Sequence, residues 1–193
     1  MRLTPSSSQT IGPFFREALE RPAWSDLARD GVAGPEIRIE GVVRDGDGAP
    51  VPDAMLELWQ ADANGRYAHP EDGGPVSSGP LFRGFGRACT NADGRYWFAT
   101  IVPGAVAGAD GRAQAPHANL TIFARGLLKR LVTRIYFADR ASENANDPLL
   151  SSIADDGARA TLVAPRTERP DGTSVYRFDI VLQGVGETAF LAI

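Results

Sequence analysis

Cysteine, histidine and excess charge are all scarce in this chain of 193 residues, and each scarcity closes off a class of function. A single cysteine, Cys89, excludes a disulfide framework and any cysteine-rich metal site. Two histidines, His69 and His117, are too few for a histidine-rich metal centre built from this chain by itself. A net charge of −4 and a sequence pI near 5.2 give no field to draw in nucleic acid or an anionic membrane. No apolar run reaches membrane-spanning length, and the first ten residues, MRLTPSSSQT, are too polar for a signal peptide. The expectation is a soluble, cytoplasmic protein.

Glycine and proline, by contrast, are plentiful at 21 and 14 residues, and they punctuate short apolar runs. That spacing predicts an all-β domain, a β-sandwich with long loops and little helix. Strands are predicted at 36–43, 54–61, 94–101, 118–125, 131–138 and 174–182. The last run alternates most cleanly, with Tyr176, Phe178, Ile180 and Leu182 on one side. A short basic turn separates 118–125 from 131–138, so these two form a hairpin. RGFGR (83–87) reads as a Gly-kinked edge strand, and DGDG and NADG read as ordinary turns. Helix is confined to FFREALE (14–20) and to NDPLLSSI, with Asp147 as N-cap and Pro148 at the first helical position. The segments 62–80 and 102–116 exceed the usual loop length, which marks them as functional candidates. Residues 1–35 form an N-terminal arm and 36–193 the sandwich.

Few residues carry chemistry. No Gly-x-Ser-x-Gly elbow supports a serine nucleophile. Residues i and i+2 of a strand face one side, so a His-x-His would aim two imidazoles at one point. Here APHANL (115–120) offers His117, then Ala118, then Asn119. Tyr67 either packs its ring and bonds its hydroxyl or, as a phenolate, binds ferric iron alongside other ligands. Arg134, set inside the apolar run LVTRIYFA, is either an anion-binding cation or a paired surface residue.

EGVVRDGDGAPVPDAMLELWQADANGRY (40–67) resembles the signature of the intradiol ring-cleavage dioxygenases. The resemblance continues through SQTIGPFF (8–15), APHANLTIFARGLLKRLVTRIYF (115–137) and YRFDIVLQGVGETAF (176–190). It implies an oxidoreductase that inserts both atoms of O2 between the hydroxyls of a catechol. In that family ferric iron is held by two tyrosines and two histidines. Tyr67 and His117 match one of each. Asn119 stands at the second histidine, and after VPG the chain reads Ala105 and Val106 where the second tyrosine belongs. Gln114 replaces the arginine expected over the iron. The resemblance therefore implies a chain without catalytic or metal-holding residues of its own, matching the alpha type in the two-chain members. There a homologous beta chain holds the ferric iron and the two assemble into higher αβ oligomers. Thr10, Gly12, Pro13 and Arg134 match positions that complete the partner's substrate pocket. Arg134 would face the carboxylate of a carboxylated catechol, and Phe14 takes the place of a frequent tyrosine.

Overall fold

The computed structural model describes residues 7–12, 14–28, 31–72, 82–108 and 111–192. Its strands, in chain order, are β1 (Glu36–Arg44), β2 (Met55–Gln60), β3 (Phe85–Cys89), β4 (Arg95–Ile101), β5 (Val106–Ala107) and β6 (Ala113–Gln114). There follow β7 (His117–Phe123), β8 (Leu131–Phe137), β9 (Val163–Ala164), β10 (Arg166–Glu168), β11 (Ser174–Arg177) and β12 (Ile180–Val181). Four short helices accompany them among the described residues: α1 (Phe14–Leu19), α2 (Ala141–Ala145), α3 (Pro148–Ser152) and α4 (Asp156–Ala160). No helix among the described residues is long and apolar enough to cross a membrane.

Two sheets face each other. In one, β1 is flanked by β4 on one side and by β11 and β12 on the other, with β10 outside β11. The other runs β3-β2-β7-β8-β9, with the predicted β7–β8 hairpin at its centre and β3 at its edge. Strand alternation buries Ile39, Phe98, Tyr176 and Phe178 from the first sheet against Leu56, Leu58, Leu120, Ile122, Ile135 and Phe137 from the second. Gln60 ties the sheets together where they meet. Its amide donates to the Ile101 carbonyl at 3.0 Å and its Oε1 accepts from Thr100 Oγ1 at 2.9 Å.

The expected continuous strand at 174–182 is broken at Phe178 and Asp179. The Phe178 carbonyl leaves the ladder and crowds Gly41, where a Cβ would overlap it. It accepts instead from the Tyr96 hydroxyl at 2.6 Å, and Val42 N donates to Asp179 Oδ1 at 2.9 Å. Side chains thus replace the missing rungs, and the sheet resumes with β12.

Asp147 caps α3 as expected, accepting from the backbone of Leu149 and Leu150, with Pro148 opening the helix. Helices α2 and α4, strands β9 and β10, and the β5–β6 hairpin escaped sequence reading. Asp155 caps α4 by accepting from Ala158 N at 2.9 Å, and β5–β6 folds part of the second long loop into a ribbon. Residues of the arm run back along their own sandwich. Ser25 and Leu27 bond Ala99, and the Leu27 side chain joins the core. The Phe15 ring lies 5.7 Å from Phe123, while Phe14 is exposed.

Candidate functional site

The face of the β2-β7-β8 sheet turned away from the core carries the predicted site. Trp59, Asn119 and Arg134 form one row across three strands, and His117 pairs with Tyr136 in the next. The i, i+2 relation places His117 and Asn119 side by side, as strand geometry requires. Tyr67 arrives from the turn after β2. Asp62 Oδ1 holds that turn by accepting from Asn64 N at 2.8 Å and Arg66 N at 3.0 Å. Gly65, at φ 77°, packs so closely on the Ala105 carbonyl that a side chain there would collide with it. The loop that lacks the second tyrosine therefore borders the turn that supplies the first. Tyr67 then stacks on Trp59, with ring centres 5.7 Å apart and planes at 10°.

His117 is buried, and its tautomer follows from its neighbours. Nδ1 lies 2.8 Å from the Ala115 carbonyl, which can only accept, so Nδ1 carries the proton. Nε2 is left as an acceptor, 3.4 Å from the Tyr67 hydroxyl. Burial, with the Arg134 charge adding to it, pushes the His117 pKa down to about 4, so the ring is neutral near pH 7. Burial also raises the Tyr67 pKa, which keeps its hydroxyl protonated.

Arg134 fills the space beside these two. Its Nε donates to Asn119 Oδ1 at 2.8 Å, and its Nη1 donates to Gln114 Oε1 at 2.7 Å and to the Tyr136 hydroxyl at 3.5 Å. Asn119 in turn donates through Nδ2 to the Tyr67 hydroxyl at 3.4 Å. Tyr136 donates to the buried carboxylate of Asp147 at 2.9 Å, whose other oxygen accepts from Ala115 N at 2.8 Å. The four positions expected to mark a former iron site, Tyr67, Gln114, His117 and Asn119, are thus brought together. Tyr136 and Asp147 were missed as members of the network. The one sequence signal available, Asp before Pro, pointed only to helix capping.

The other expected residues lie elsewhere. Thr10 and Gly12 are exposed, and Pro13 is outside the described residues. Thr10 Oγ1 accepts from Gly126 N at 2.8 Å, at the turn between β7 and β8. Arg134 sits three residues into β8, about 10 Å along the strand from Leu131. Arg125, which precedes Gly126 in the chain, has a side chain that is 57% exposed and paired with Asp53 at 2.9 Å. The structure does not join Thr10 or Gly12 to Arg134 in one site of this chain.

The ferric iron implied by the resemblance does not fit the pocket. Tyr67 and His117 supply two donors, Asn119 supplies a neutral amide already engaged by a guanidinium, and Ala105 and Val106 supply none. Among the described residues no three His, Cys, Asp or Glu side chains group as a metal site.

A family model described as Dioxygenase matches residues 12–184. The protocatechuate 3,4-dioxygenase alpha chain of Pseudomonas putida is 42% identical, covering 97% of this chain and 96% of its own length. The beta chain of the same-named enzyme from Burkholderia cepacia is 37% identical over 84% of this chain and 73% of its own. Among solved structures, the dioxygenase domain of a carbohydrate-binding fusion from Streptomyces sp. SirexAA-E superposes with a TM-score of 0.61. It is 24% identical and covers 94% of this chain and 100% of that domain, a likeness of fold.

Proposed function

This chain belongs to the intradiol dioxygenases, iron-dependent oxidoreductases, and from that premise we propose that it is the alpha subunit of a protocatechuate 3,4-dioxygenase. The complex cleaves protocatechuate with O2 between its hydroxyls to 3-carboxy-cis,cis-muconate. The ferric iron resides in a homologous beta chain, and the two chains assemble as αβ units in the cytoplasm. The observation that carries this reading is the broken ligand set, Asn119 and Val106 in place of a histidine and a tyrosine, within an otherwise intact fold. Exposed Trp24, Phe85 and Trp97 on the described surface agree with a chain that buries more area in an assembly. The test is expression of this chain alone, the beta chain alone and both together, with ring cleavage and iron measured in each. Full activity is expected only from the pair. Stoichiometric iron and turnover in this chain alone would overturn the proposal.

Within the complex the outer side of the N-terminal arm, where Phe14 and Trp24 are exposed, packs on the partner, and Thr10, Gly12 and Pro13 complete the wall of its substrate pocket. Substrate hydroxyls directed at iron leave the carboxylate pointing away from it, towards a cation. Arg134 is the sequence-based assignment for that cation. The Thr10–Gly126 bond favours a second assignment, Arg125, because it ties the arm to the residue that follows Arg125 in the chain. A charge-assisted hydrogen bond contributes roughly 1.5–3 kcal/mol, or about 10- to 100-fold in binding. Alanine at the true partner raises the KM for protocatechuate by that factor and lowers the preference for protocatechuate over catechol, which has no carboxylate. Equal loss on both substrates would make the residue structural. Comparing Arg125→Ala with Arg134→Ala decides between the assignments.

A further inference from the structure

The pocket that lost half of its metal ligands has not become neutral. We infer that Arg134 is a built-in cation that takes over the charge-organising role of the metal and keeps a metal from entering. Three observations converge on it. Arg134 lies directly across the ladder from Asn119, the position of the missing ligand, and bonds its Oδ1 at 2.8 Å. The same amide reaches the Tyr67 hydroxyl through Nδ2, so it bridges the guanidinium to a surviving ligand position. Gln114 Oε1 and the Tyr136 hydroxyl complete a set of neutral oxygen acceptors around the cation, as oxygen dipoles gather around an ion. No carboxylate among the described residues lies within ion-pair distance of it.

Balancing charge comes at one remove. The Tyr136 hydroxyl donates to Asp147 Oδ1 at 2.9 Å, so the carboxylate acts through the phenol and does not quench the guanidinium. A second cation entering beside Tyr67 and His117 would meet Arg134 within a few ångströms, in a partly buried setting where repulsion is poorly screened. Loss of ligands is then only half of the barrier to metal, and restoring a ligand does not restore the site.

This inference goes beyond the proposed function and fails independently of it, because the readout is metal binding and not ring cleavage. In the complex with the beta chain, Asn119→His restores the second imidazole with Arg134 in place. The double variant Asn119→His, Arg134→Ala also removes the cation. Cobalt(II) is added, excess is removed by gel filtration, and metal per αβ pair is counted against the unsubstituted complex. One additional cobalt per pair is expected in the double variant, with a Kd at least about 100-fold below that of Asn119→His alone. Asn119→His binding cobalt as tightly as the double variant would overturn the inference. So would a double variant that keeps its melting temperature but gains no cobalt over the single. If the alanine variant does not fold, Arg134→Gln in the same background removes the charge, keeps an amide donor and carries the same comparison.

Discussion

Acidification should destabilise this protein through His117. The imidazole is 1% exposed, neutral, and donates its one proton to the Ala115 carbonyl. A buried histidine whose folded pKa lies below its unfolded value stabilises the fold fully above the unfolded pKa. That stability is lost as pH falls, because the unfolded state binds the proton more readily. The window runs from about 6.5, the unfolded value, down to the folded value of about 4. At about 1.4 kcal/mol per pH unit, the loss reaches about 2 kcal/mol at pH 5 and about 3 kcal/mol below pH 4. His117→Gln removes the titration, and the amide can still donate to the Ala115 carbonyl. Urea titrations of the full chain at pH 7 and pH 5, with and without the substitution, isolate the effect because every other group contributes to both proteins. The unsubstituted chain is expected to lose about 2 kcal/mol more than His117→Gln between the two pH values. Identical losses would refute the assignment of His117 as a buried neutral base.

Asp147→Ala strands the backbone of Ala115, Leu149 and Leu150 and the Tyr136 hydroxyl together, and chemical denaturation should show a loss of about 3 kcal/mol or more. Asp147→Asn keeps the helix cap but turns a donor towards Ala115 N, for a smaller loss of about 1–3 kcal/mol. Gly41→Ala drives a Cβ into the Phe178 carbonyl, and the melting transition should report about 3 kcal/mol or more of destabilisation, since neither strand can move without breaking the ladder.

Strand positions are legible where a face of the strand is buried. The runs at 36–43, 54–61, 94–101 and 131–138 appear as β1, β2, β4 and β8 because their alternation has a single physical solution. The break at Phe178 was not legible, since its cause is a contact with distant Gly41, and the Val42–Asp179 bond beside it spans 137 residues of chain. The helices α2 and α4 are five residues each, too short for periodicity to rise above turn-like composition. At the site, the family signature identified Tyr67, Gln114, His117 and Asn119. The bond between Asn119 and Arg134 depends on strand register across β7 and β8, which sequence pattern does not specify to the rung. The separation of Thr10 from Arg134 arises the same way, from where the arm meets the hairpin.

A metal centre makes folding depend on supply, because binding free energy and folding free energy are then one quantity. The cation bonded to Asn119 and Gln114 is part of the polypeptide and is present as soon as the chain is made. With the iron in the partner, as proposed, this chain would mature at the same rate whether iron is abundant or scarce. In an assembly with an iron-requiring partner, scarcity would then be felt on one side only, and this chain would accumulate ready to receive its counterpart.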